Sequence, residues 1–212
     1  MKPIDIEHAR ALYATGGGGH DFDHVLRVLA LAERIAAAAG ADLAVVRAAA
    51  LLHDVAESEA RAAHHLLGAQ RARELLASEP RVFVDAVAHC IEAHRFRHEP
   101  QPQTLEAQVL SDADKLDSIG AIGVARAFAY GAVADTALWR KPLAEIEREN
   151  IDARRGPLEL GEDYTPSHEF VFKLDRIPDR LHTRVAREIA EERRRFMRAF
   201  FERLDREALG DA

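Results

Sequence analysis

The stretch AALLHDVAE, residues 49–57, places a histidine and an aspartate side by side, His53 and Asp54, at the end of an apolar run. A plain core helix would carry another Leu or Ala there. Burying a charged carboxylate beside an imidazole is costly unless something pairs with both groups. A divalent metal is the simplest such partner, because first-row metals accept imidazole nitrogen and carboxylate oxygen.

Working outward, the chain reads as helical almost throughout. β-Branched clusters are rare and Ala dominates. Asp42 is expected to cap a helix carrying Val46, Ala49, Ala50, His53 and Asp54, with His53 stacked over Ala49 and Ala50. Upstream, a short helix over 4–14 is expected to stop at Gly16–Gly19. Asp21 or Asp23 caps the next helix, which ends at Gly40 and carries His24, Val28, Ile35 and Ala39 on one side. Downstream, Pro80 opens a helix with Val87, Ile91 and His94 on one face. Residues 98–103 read as a loop, and Thr104 caps a helix through Asp114 or beyond. The pattern weakens from Trp139 to Thr165. From Pro178 to about Leu209 one long amphipathic helix is expected, with Leu181, Val185, Ile189, Phe196, Phe200 and Leu204 as its apolar repeat.

Composition narrows the function classes. The chain has 212 residues, 48% of them hydrophobic, and a formal net charge of −7. That balance argues against a general nucleic-acid surface. A lone cysteine, Cys90, excludes an intrachain disulfide framework. No apolar run of about 18 residues is present to span a bilayer, and the N-terminus lacks the apolar segment of a signal peptide. The expectation is a cytoplasmic, all-α chain, a single domain over 1–212 with a metal-site core at about 20–130 and a helical part at about 166–209.

The set His24, His53-Asp54 and a later Asp has the order and spacing that resemble the HD superfamily of metal-dependent phosphohydrolases. GHDFDHVLRVLALAERIA (19–36) resembles its first metal-ligand helix and ADLAVVRAAALLHDVAE (41–57) its second. SDADKLDSIGAIGVARAF (111–128) resembles the fourth-ligand helix of one subgroup, the small stand-alone bacterial enzymes that include nucleotide pyrophosphohydrolases. The run FKLDRIPDRLHTRVAREIAEERRRFMRAF (172–200) is similar to that subgroup as well.

The resemblance implies a single HD-type helical bundle with a long C-terminal helix. It implies His24, His53, Asp54 and one acid of SDADKLD as ligands of one divalent ion. Periodicity leaves both Asp112 and Asp114 near apolar neighbours. The superfamily's fourth ligand is the Asp followed directly by a basic residue, which matches Asp114-Lys115. Asp117 is then expected to make an outer contact or to cap the turn before Gly120. Mn2+ is favoured for a thiolate-free N/O set, with Co2+, Ni2+, Fe2+, Zn2+ and Mg2+ as alternatives. Two departures stand out. Lys115 replaces the Arg common in the subgroup, losing bidentate phosphate contact. In SHEFVFKLDRI (167–177) a usual His-Phe pair is split, while Lys173 keeps the position of the subgroup's lysine.

His64, in HHLLGA, and His94, in IEAHRF, resemble positions of a second metal in two-ion members of the superfamily. The subgroup is viewed as mononuclear, so His94 is expected to line the site and His64 to be its neighbour. Asp54, Glu57 and His94 are the expected catalytic groups, with Glu57 orienting or deprotonating water. Arg27, Lys115, Arg126 and Lys173 are the expected phosphate contacts. The implied reaction is hydrolysis of a nucleoside triphosphate to monophosphate and pyrophosphate, through water activated by the ion. Nucleoside monophosphate dephosphorylation and a non-catalytic nucleotide sensor are the alternatives. A small-molecule nucleotide is the expected partner, without nucleic acid or membrane, and the last helix offers a face for a homodimer.

Overall fold

A computed structural model describes residues 4–14, 22–56, 63–95, 100–149 and 164–211. Among them are ten α-helices and no strand: α1 (Ile6–Ala14), α2 (Phe22–Ala39), α3 (Leu43–Leu52), α4 (His64–Leu75), α5 (Arg81–Glu92), α6 (Leu105–Leu116), α7 (Ala121–Val133), α8 (Leu143–Ile146), α9 (Pro166–Phe172) and α10 (Arg184–Leu209). The fold is all-α with a long C-terminal helix, as expected. None of the described helices is by itself long and apolar enough to cross a membrane.

The chain divides into two compact units. The first takes residues 1–115 and 181–186, the second 116–180 and 187–212. In the first unit α2, α3, α4 and α5 pack together, α3 lying against both α2 and α5. Val28, Ile35, Val46, Leu52, Val87 and Ile91 are fully buried there. Local chemistry sets the helix ends. Gly40 adopts φ 78°, the left-handed stop beyond α2. The Asp42 carboxylate accepts the Ala44 N–H at 2.8 Å and the Val45 N–H at 3.3 Å, satisfying donors that open α3. Asp42→Ala is expected to cost about 1 kcal/mol, readable as a shifted urea midpoint at unchanged slope. The Thr104 hydroxyl accepts the Ala107 N–H at 3.2 Å at the start of α6.

In the second unit Phe170, Ile146, Met197 and Phe201 are fully buried, the Phe170 and Phe201 rings stacking with centroids 4.9 Å apart. Gly120, at φ 79°, makes the turn from α6 to α7, where an added Cβ would stand 3.0 Å from Arg193 Cγ. Asp205 joins the segment ahead of α8 to α10, accepting from Trp139 Nε1 at 2.8 Å and from the Leu143 N–H at 2.7 Å.

Two expectations change. α10 begins at Arg184, and Pro178–Arg180 form a separate 3-10 turn. The N–H groups of His182 and Thr183 are held by Asp112, so the helix starts only beyond them. The buried stripe of α10 is Ala186, Ile189, Ala190, Met197 and Phe201; Ile189 was expected there, whereas Phe196 is 49% exposed and Phe200 36%. Helices α4, α7 and α9 complete the set; Gly16–Gly19 and Asp21 lie outside the described residues.

Candidate metal centre

His24 sits in the first turn of α2, and His53 is the residue that closes α3. Asp54 follows in a turn, so both motif residues lie just past the helix that was expected to carry them. The reason is local. The Asp54 N–H donates to the Tyr13 hydroxyl oxygen at 3.3 Å, and the Val55 N–H closes a tighter bond to the Leu52 carbonyl at 3.2 Å. His53 Nδ1 donates to the Ala50 carbonyl at 2.9 Å. In the neutral ring this leaves the lone pair on Nε2.

That nitrogen faces His24 Nε2 at 3.3 Å and Asp54 Oδ2 at 3.3 Å. His24 Nε2 is 3.7 Å from Asp54 Oδ2 and 3.4 Å from Asp114 Oδ1 on α6. An ion with bonds of about 2.1 Å at tetrahedral angles holds its ligand atoms about 3.4 Å apart. The spacings fit such an ion, and a buried set of imidazoles and carboxylates suits divalent first-row metals. His24, His53 and Asp114 offer ligand atoms that all lie within 4.8 Å of one another.

The other oxygen of Asp54 faces a different pair. Oδ1 is 3.3 Å from His64 Nε2 and 3.6 Å from His94 Nε2. His94 was expected on the face of α5 with Val87 and Ile91; it lies two residues beyond that helix, its Nδ1 donating to the Ile91 carbonyl at 2.6 Å. Gly68 positions α4 against it. A Cβ there would stand 3.3 Å from the His53 carbonyl oxygen and 3.3 Å from Ile91 Cγ2, so the missing side chain lets α4 close on the end of α3.

Electrostatics follow from this crowding. Burial disfavours the charged form of Asp54, yet the charge of His53 and hydrogen bonds from His53, His64 and His94 hold its carboxyl well below the usual range. Burial likewise opposes ionisation of Asp114, and is outweighed by a hydrogen bond from His24 and by His94, His53 and His24 charge; its pKa is also lowered. His53 is pulled down by burial but raised on balance, chiefly by Asp54. Ion entry therefore competes with a proton at His53.

The remaining candidates are placed as follows. Asp112 is fully buried and turned to the C-terminal segment: Oδ1 accepts the His182 N–H at 2.9 Å, and Oδ2 accepts the Thr183 N–H at 2.7 Å and the Thr183 hydroxyl at 2.8 Å. Lys115 Nζ turns back along α6, donating to the Ser111 carbonyl at 3.1 Å and to the Ser111 hydroxyl. Burial lowers its pKa against the pull of Asp114 and Asp112. Ser111 in turn donates to the His94 carbonyl at 3.1 Å. Arg27 is half-buried, one turn on from His24. Glu57 lies outside the described residues.

Arg126 and Lys173 belong to the second unit. Arg126 stands 3.7 Å from Asp117, and Lys173 Nζ is 2.9 Å from Glu169 Oε2. His168 caps α9 there, its Nδ1 accepting the Thr165 N–H at 3.1 Å. Sequence reasoning missed Tyr13 and Ser111. Both act through backbone groups of motif residues, a role that leaves no trace in spacing.

Comparison with known proteins bears on this cluster. The HD domain pattern matches residues 21–119. YpgQ of Bacillus subtilis is 32% identical over 197 residues, covering 91% of this chain and 86% of that one. Its crystal structure in complex with ADP superposes with a TM-score of 0.71 at 30% identity, over 98% and 100% of the two chains. An HD-superfamily hydrolase from Bacillus thuringiensis gives a TM-score of 0.71 at 27% identity, over 95% and 93%. Ribonuclease Y of Chloroflexus aurantiacus is 36% identical over 110 residues, which are 50% of this chain and only 20% of that enzyme.

Proposed function

The chain belongs to the HD superfamily of hydrolases, and we propose that it hydrolyses a nucleotide, cutting a (deoxy)nucleoside triphosphate to monophosphate and pyrophosphate with a divalent ion held by His24, His53, Asp54 and Asp114. The observation that carries this reading is the facing of His53 Nε2 and His24 Nε2 at 3.3 Å, with a carboxylate oxygen beside each. Two imidazole nitrogens so placed call for a cation between them. The ADP complex of the similar YpgQ supports a nucleotide as the ligand.

When bound, such an ion lowers the pKa of water from about 15.7 toward about 7 and polarises a phosphoryl oxygen. The protein's own part is positioning and charge. Ala50 fixes the His53 ring and Tyr13 holds the Asp54 backbone, so the nitrogen and the carboxylate converge without reorganisation. His94 and Glu57 are assigned proton transfer. Arg27 and Lys115 are assigned the phosphate oxygens, Lys115 by swinging away from Ser111, whereas Arg126 and Lys173 belong to the second unit, paired with Asp117 and Glu169. Asp114 is assigned as the fourth ligand and Asp112 as a brace for the C-terminal segment. Mn2+ is the favoured ion for this donor set.

A nucleotide panel with Mn2+, resolving pyrophosphate from orthophosphate, tests the reading. Monophosphate plus pyrophosphate from a triphosphate is the expected result. Orthophosphate released from monophosphates alone would replace it with a 5'-nucleotidase reading. Tight nucleotide binding in a thermal-shift titration, with no turnover under any divalent ion, would replace it with a non-catalytic sensor.

A further inference from the structure

We propose that Ser111 is a positioning residue for the metal centre: it holds the Lys115 ammonium one turn back along α6, so that this charge does not take the Asp114 carboxylate the ion needs. The inference rests on the metal centre assigned above, and not on which nucleotide bond is cut.

Ser111 is 1% exposed and lies four residues before Lys115 on α6, the spacing at which helix side chains meet. A hydroxyl has a single proton to give and two lone pairs. That proton goes to the His94 carbonyl at 3.1 Å. Toward Lys115 the hydroxyl is therefore an acceptor. Lys115 Nζ donates to it and also to the Ser111 carbonyl at 3.1 Å.

The competing partners for this ammonium are carboxylates. Asp114 and Asp112 both attract it, yet they are not equally open. Asp112 has both oxygens engaged, by the N–H groups of His182 and Thr183 and by the Thr183 hydroxyl. Asp114 stands next to Lys115 in the chain, its side chain 29% exposed and Oδ1 facing His24 at 3.4 Å. An ammonium seated on Asp114 would occupy a ligand oxygen and set its charge against that of the ion. Residue type makes the anchor necessary. A guanidinium carries its donors in a rigid fork, whereas an ammonium on a flexible four-carbon stem goes where its acceptors are. Ser111 supplies those acceptors, and the charge is stored beside the centre for the anionic oxygens of a substrate.

Mn2+ titrated into EDTA-stripped, dialysed full-length protein tests this, read by calorimetry and by electron paramagnetic resonance of the free ion, with no nucleotide present. Ser111→Ala is expected to weaken Mn2+ binding about tenfold, the low end for losing a group that orients a metal site. Lys115→Met removes the charge at similar length and is expected to bind Mn2+ at least as tightly as the wild type. In the Lys115→Met background, Ser111→Ala should then change the affinity less than about twofold, because the hydroxyl acts through the ammonium. Wild-type affinity in Ser111→Ala overturns the role. So does an equal loss in both backgrounds, which would make Ser111 a brace for the His94 backbone alone. A wild type that takes up no Mn2+ overturns the metal centre itself, and this role with it. The melting temperature in EDTA reports whether each variant is folded. Where Ser111→Ala is not, Ser111→Cys in reducing buffer decides the same comparison, its sulfur being a weak acceptor of similar size.

Discussion

Asp54→Asn is expected to lower kcat/KM by about a thousandfold or more, because the ion is asked to supply several kcal/mol of transition-state stabilisation and each ~1.4 kcal/mol is tenfold in rate. Asp54 is the one carboxylate among the described residues placed within 3.7 Å of all four histidines His24, His53, His64 and His94. Asparagine keeps the shape but removes the negative charge and turns one ligand oxygen into an amide nitrogen that donates hydrogens. Whichever way the amide faces, one of the two histidine pairs meets an amide nitrogen in place of a carboxylate oxygen. Metal content after dialysis should fall together with turnover. A variant that kept full activity and its metal would refute the centre itself.

The parts of the molecule that sequence made legible are those governed by residue type at short range. Asp42 before an apolar run, Gly40 after one and Thr104 ahead of another mark helix ends through bonds made within three residues. That His24, His53, Asp54 and Asp114 come together was expected from the order of the family motif they resemble, since periodicity left Asp112 and Asp114 open. Helix ends decided by distant groups were not. His53 and Asp54 were read as helical, yet the Tyr13 hydroxyl, 41 residues away, takes the Asp54 N–H. Likewise α10 starts late because Asp112, some 70 residues upstream, holds the N–H groups that precede it. Hydrophobic weight misplaced the register of α10: Phe196 and Phe200 suggested its inner face, but small Ala186 and Ala190 allow close approach, and Met197 and Phe201 fill the interior. The meeting of His64 with His94 depends on α4 crossing the end of α3 at Gly68, which no local pattern encodes.

Asp112 and Asp114, two residues apart on α6, are expected to fail in opposite ways when truncated. Asp112→Ala should destabilise the protein by about 3–5 kcal/mol, the range for removing one partner of a buried charged network. It leaves two backbone N–H groups and one hydroxyl without their acceptor, each a charge-assisted bond worth about 1.5–3 kcal/mol. Thr183 would be affected twice, since its hydroxyl donates to Asp112 and also accepts the Ala186 N–H at 3.3 Å that opens α10. The first turn of that helix should fray with it. Asp114→Ala should instead remain folded. Its side chain is 29% exposed and pairs with the His24 imidazole at 3.4 Å, with none of the backbone N–H and hydroxyl donors that Asp112 holds, so in EDTA the loss should be smaller than for Asp112→Ala. What Asp114→Ala should lose is the bound ion. Urea unfolding in EDTA, paired with metal content of the refolded proteins, separates the two. If Asp112→Ala unfolds like the wild type but no longer retains metal, the fourth ligand is Asp112, and the brace between α6 and the start of α10 is not what holds that segment.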